Sequence, residues 1–200
     1  MSTYTFDTDV PNVQPSRSDW ELLSNTRVFQ SPLTNAIQTA SRKGSAWRIS
    51  LRFDDLFGED RANMQAFLTK LDGQQHRFKI YDHAFTRRGT GTATGWTSNT
   101  SSGNSLVLQK TSGTALTVKK GDYISVDNQL FMAVSDASTT SPHTAITITV
   151  APEIRSMATG QDVELVEPTG TFILTSSASW DTQVGQVSSF TIEGIEDVLA

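Results

Sequence analysis

Three histidines, His76, His83 and His143, are the side chains of this chain best placed to exchange protons near neutral pH. His76 and His83 flank one alternating run and stand seven residues apart. On a strand an odd spacing turns them to opposite faces, a poor arrangement for sharing a metal ion. Asp82 adjoins His83, yet sequence neighbours on a strand also point apart, so no dyad forms there. The acids around Asp122 and Asp127 lack the alternating ligands and closing Glu of a calcium loop. "GTGTATG", residues 89–95, has glycines but no Gly-Lys-Ser/Thr ending, and no helix follows to hold a phosphate. No serine sits in a nucleophile-elbow pattern. The expectation is that the chain is no enzyme, with no catalytic residue, metal ligand or cofactor assigned.

Sugar binding is the remaining chemistry, since an aromatic face can stack on a pyranose ring. Of Trp20, Trp47, Trp96 and Trp180, Trp96 lies inside the polar run "GTGTATGWTSNTSSGNS" and is the candidate glycan contact. The other three are expected in core or edge positions.

Composition narrows the field further. Two hundred residues can hold one large or two small domains, each with its own core. Hydrophobic residues make up 36% and charged residues 18%, the balance being Ser, Thr, Gln, Asn and Gly, as in β-rich proteins with many turns. The absence of cysteine removes disulfides and thiolate zinc. A net charge of -5 argues against general nucleic-acid binding. No apolar run approaches the roughly 18 residues of a membrane span, and the N-terminus lacks the pattern of a secretory signal. Cytoplasmic synthesis without membrane insertion is the expectation. The polar N-terminal stretch, with Pro11 and Pro15, is expected to run extended across another part of the fold.

The elements that must position any site begin with "WRISLRF", where Trp47, Ile49, Leu51 and Phe53 alternate with Arg48, Ser50 and Arg52. Then "EDRANMQAFLTKLDGQQHRFKIYD" places Met64, Phe67, Leu68 and Leu71 on one helical face. Gly58, Glu59 and Asp60 open this helix, the acids suiting its positive end. Gly73 closes it, and Phe78 and Ile80 belong to the strand that follows. Ahead of the unit, "RVFQSPLTNAIQTASRKG" reads as a long hairpin or arm around Pro32 and Asn35. Arg27, Phe29, Leu33, Ile37 and Arg42 are its candidate subunit-interface residues, because its apolar content is too sparse to anchor it on its own domain.

Beyond the polar run, short strands follow one another: "SLVLQ", "ALTV", "YISV", "QLFMAV", "AITITV" and "DVELV". Asp127-Asn128 forms the two-residue turn of a hairpin, and the spacing fits a small barrel or sandwich. After Pro168, "TFILTS" and "SFTIEGIEDVL" resume the alternation, and the last strand is expected to add to an edge of the strand–helix–strand unit. The fold class is therefore mainly β (α+β). A β-sandwich-like core domain with one amphipathic helix, residues 1–87 and 167–200, carries an inserted small β-barrel or sandwich domain, residues 88–166. A plain tandem of two domains is the competing arrangement.

The 36-residue stretch 47–82 resembles the core of tailed-bacteriophage distal tail proteins and the related lambda-like minor tail proteins. Trp47, Phe67, Leu68, Gly73, Phe78 and Asp82 occupy the places where that family has an aromatic-led strand, a helix ending in Phe-Leu, a Gly turn and an aromatic strand. "KGDYISV", "LFMAV" and "APEIR" are similar to the β-rich insertion of some members. The resemblance implies a structural virion protein forming a homo-oligomeric ring, commonly a hexamer, at the distal end of the tail tube. Its partners would be the tail tube protein and the hub or baseplate proteins, and its location the virion tail, assembled in the host cytoplasm. A carbohydrate-binding β-module for host attachment, resting on Trp96, is the alternative.

Overall fold

The computed structural model describes every residue except 112–114, 141–143, 178, 184, 186 and 199–200. His143 therefore lies outside the described residues. The chain opens with β1 (Thr3–Thr5), the one-turn α1 (Phe6–Asp9), β2 (Arg17–Leu23), β3 (Thr26–Gln30), β4 (Ile37–Ser41), β5 (Ala46–Leu56), α2 (Gly58–Leu71) and β6 (Arg77–Ile80). Eight short strands follow: β7 (Thr97–Ser98), β8 (Ser105–Gln109), β9 (Leu116–Val118), β10 (Tyr123–Val126), β11 (Gln129–Ala133), β12 (Ala137–Thr139), β13 (Ala145–Ala151) and β14 (Val163–Glu164). The C-terminal part holds β15 (Gly170–Leu174), β16 (Trp180–Gln183) and β17 (Val187–Glu196). The fold is mainly β.

The alternation of β5 is realised as read, with Trp47, Ile49, Leu51 and Phe53 all buried. α2 adds Met64, Phe67, Leu68 and Leu71 to the same core. Its end is set by Asp72 rather than by Gly73 alone: Asp72 takes the left-handed conformation (φ 48°) and Gly73 follows it at φ 62°. The last strand does not add to an edge. β17 lies in the middle of a half-barrel sheet ordered β1-β6-β15-β17-β5-β2, so β5 and β6, which flank α2 in sequence, are separated by two C-terminal strands. β16 pairs the N-terminal half of β17.

The N-terminus also departs from expectation. It is not merely draped: β1 pairs in parallel with β6, and Phe6, Val10 and Val13 are buried. Phe6 meets Phe53 and Phe67 with ring centroids 5.4 Å from each. The described residues thus contain two helical segments, and α1 is one of them.

Strands β14-β10-β11-β13-β8-β7 form a second sheet whose two ends meet. Thr97 bridges Asp162, the Val163 N–H donates to Trp96 O at 3.0 Å, and the Ser98 N–H donates to Gln161 O at 2.8 Å. Closure leaves a small barrel with its own core, Leu106, Leu108, Ile124, Phe131, Ile146, Ile148 and Val150 among its members. The β10–β11 turn is the one read from the sequence, with Asp127 and Asn128 at φ 51° and 61° and Val126 paired with Gln129. Asp122, far from being a cation ligand, is filled by backbone donors. Its carboxylate accepts from the N–H groups of Arg88, Gly89 and Lys119 at 2.8–3.0 Å. A side chain at Gly89 would put its Cβ 2.0 Å from Thr117 O, so this close approach admits only glycine.

The β10–β11 hairpin is buried on both faces. Ile124, Val126 and Phe131 enter the barrel core, while Tyr123 and Leu130 enter the main core, with Met132 packed beside them. At this shared wall the Glu196 side chain is fully buried, and it accepts from Trp47 N–H (3.1 Å), Leu130 N–H (3.2 Å) and Arg155 Nη2 (2.8 Å). Trp47 Nε1 donates to Leu130 O at 2.9 Å. Breaking a buried pair by removing one partner costs about 3–5 kcal/mol, whereas removing both is far milder. Arg155→Met should therefore lower urea stability by about that amount, and Arg155→Met/Glu196→Gln should recover most of it. An equal loss in single and double variants would mean the pair is not what joins the two sheets.

Burial, with the Asp82 carboxylate adding a smaller push, raises the Tyr123 hydroxyl to about 12. A raised folded pKa stabilises fully below the unfolded value near 10 and is lost as pH climbs through about 12. Stability should fall over that window in the parent, and the fall should be shallower in Tyr123→Phe, measured by urea unfolding at stepped pH.

Candidate interaction surface

Strands β3 and β4 pair only with each other, Thr26 to Ser41 through Gln30 to Ile37. The base is clamped: Asn25 Nδ2 donates to Lys43 O at 3.0 Å, and Arg42 N–H donates to Asn25 O at 3.0 Å. The tip is folded by Ser31 N–H donating to Ala36 O and by Asn35 at φ 52°. Beyond the base, no other element among the described residues pairs with the hairpin. Val28 is 63%, Phe29 56%, Leu33 94% and Ile37 65% exposed. The register puts Val28 and Ile37 on one face and Phe29 on the other, so docking one face on its own domain would leave the other bare. A two-stranded hairpin alone is marginal in water. The five interface candidates, Arg27, Phe29, Leu33, Ile37 and Arg42, are thus gathered on this one projecting element. Arg27 and Arg42 are exposed and have no ion-pair partner among the described residues.

Trp96 requires a correction. It is 1% exposed, and its indole N–H donates to Thr92 O at 2.8 Å. Sitting where the barrel closes, it offers no face to a sugar. Of the four tryptophans, Trp180 is the exposed one, at 41%. It borders an open groove of about 670 Å³ shared with Leu68, Thr69, Gln74, Thr175 and Ser176.

The two histidines among the described residues each have a partner within the fold. His83 Nε2–H donates to Asp7 at 2.8 Å while its ring stacks on Tyr81 at 4.3 Å. His76 Nδ1 accepts from the Ser2 N–H at 3.1 Å. Among the described residues no group of three or more His, Asp or Glu could hold a metal ion. No helix there is long and apolar enough to cross a membrane.

A second exposed feature was not singled out from the sequence. The turn from β5 into α2 carries Asp54, Asp55, Glu59 and Asp60 around Phe57, which is 69% exposed. Asp55 and Gly58 sit at φ 59° and 57°. Asp54 is held below the ordinary carboxylate range by hydrogen bonds from Ser16 and Arg52. Phe57 occupies the N-cap of α2 and supplies no capping hydrogen bond, where Ser, Thr, Asp or Asn would serve better. The signal available in the sequence was a large apolar residue directly before a helix start.

Comparison with protein-family models and with curated proteins finds no match for this chain. The surface itself carries the functional argument.

Phe57→Ser should raise urea stability by about 1 kcal/mol, the value of a restored cap. A loss of stability instead would show that Phe57 packs on its own fold.

Proposed function

We propose that this protein is a structural subunit of a tailed-bacteriophage tail end, assembling into a homo-oligomeric ring that joins the tail tube to the hub or baseplate. The observation that carries this reading is the β3–β4 hairpin: clamped at its base, paired only with itself, and exposing large apolar side chains on both faces. Such an element gains from burial only against another chain. The resemblance of residues 47–82 to distal tail proteins supplies the identity of the assembly, and the barrel is a second unit available for outward display.

Sedimentation and negative-stain microscopy of the full chain test it. Closed rings, a hexamer foremost, are the expected result. A monomer at every attainable concentration, alone and with tail tube protein, would overturn the reading.

A carbohydrate-binding module remains the second reading, now favoured by Trp180 beside its polar groove and no longer by Trp96. Glycan-array binding by a monomer that disappears in Trp180→Ala would favour it over the ring.

A further inference from the structure

The hairpin and the Phe57 turn are complementary, and one strand separates them. β5 begins at Ala46, beside the hairpin base, and ends at Leu56, beside Phe57. Ten residue steps along a strand put these ends about 33 Å apart. β2 pairs β5 up to Leu23–Ala46, so the chain leaves for the hairpin at the end of β5 remote from Phe57.

The charges are opposite. Residues 24–45 contain Arg27, Arg42 and Lys43 and no acid, a local +3 within a chain of net charge -5. Lys43 is engaged with Glu153 at 3.1 Å, whereas Arg27 and Arg42 have no ion-pair partner among the described residues. At the far end Asp55, Glu59 and Asp60 likewise have none there, and Asp54 is taken by Arg52 at 2.8 Å. Arg61, next along α2, is the one cation within the acidic turn. Each surface also exposes large apolar side chains: Val28, Phe29, Leu33 and Ile37 on the hairpin, Phe57 on the turn.

The geometry points to head-to-tail self-association, in which the hairpin of one copy docks on the Phe57 turn of the next. Arg27 and Arg42 face Asp55, Glu59 and Asp60 of the neighbour, and Phe57 packs against the apolar hairpin residues. The occupant is a second copy because the complement of each surface is carried by the same chain, at a place its own hairpin leads away from. Two unlike patches joined in this way give a heterologous contact, which closes into a ring or runs on as a filament. The inference rests on the reading of the protein as a self-assembling subunit and adds which surfaces meet.

The test uses full-length chains and native mass spectrometry with sedimentation. A hairpin variant, Arg27→Glu/Arg42→Glu, and a turn variant, Phe57→Ser/Glu59→Lys, are each expected to associate at least ~10-fold more weakly than the parent. All four substitutions lie on exposed positions, and circular dichroism checks that each variant is folded. Mixed one to one, they should form a dimer and nothing larger, because one intact hairpin and one intact turn remain. If the parent assembles and the two variants assemble equally well, or their mixture stays monomeric, this interface is wrong while the subunit reading stands. If the parent never assembles, both fall together.

Discussion

The Glu196 carboxylate sits where its side chain is wholly out of water, and a buried carboxylate is tolerable only when its lone pairs are met. Three donors meet them, and each comes from a different part of the chain: Trp47 from the start of β5, Leu130 from the barrel hairpin, Arg155 from the segment after β13. β17 can therefore occupy the centre of the half-barrel only when the barrel is seated beside it. The two sheets are coupled through a polar knot as well as through apolar packing, and the knot fixes their relation more sharply because hydrogen bonds are directional.

Apolar packing supports the same joint. The β10–β11 hairpin serves two cores at once, which explains why nearly every residue of "YISVDNQLFMAV" outside the turn is buried rather than alternating with exposed ones. Tyr123 is the clearest case. It belongs to a barrel strand, yet its ring lies 5.6 Å from Trp47, 6.0 Å from Trp20 and 5.3 Å from Phe85. Against this rigid joint stands the β3–β4 hairpin, with two strands, no third layer and large apolar side chains in solvent. Core packing runs along β5 from Trp47 to Phe53, and exposed apolar side chains stand beyond both of its ends.

Much of this was legible from local pattern. The period of two in β5, the helical face of α2 and the Asp127-Asn128 turn each depend on residues within one segment, and each was read correctly. The hairpin was legible for the opposite reason, since it lacks the apolar density that would bury it. Trp96 was not legible: its neighbours are Gly, Ser and Thr, and window composition reports polarity without telling which single side chain turns inward when a barrel closes. Phe6, Val10 and Val13 have helix-like spacing, obscured by Pro11 and Pro15 and by a helix of a single turn. Glu196 was not singled out, because its donors lie 41 to 149 residues away in sequence. The position of β17 between β5 and β15 escaped for a similar reason: pairing partners distant in sequence leave no local trace.

That position gives the chain a timetable. Strands β7–β14 are contiguous, so the barrel has all its strands before β15 is made. The half-barrel is different, because β15 and β17 complete its middle and come last. Between the synthesis of Ile80 and that of Ile195, β6 lacks its second partner until β15 appears, β5 lacks its own until β17 does, and Ile49, Phe53 and Phe78 lack much of their cover. At the usual pace of translation that interval lasts on the order of 10 s. The keystone of the main sheet is thus its final strand, and the nascent protein spends those seconds as a finished barrel tethered to an open, sticky half-sheet.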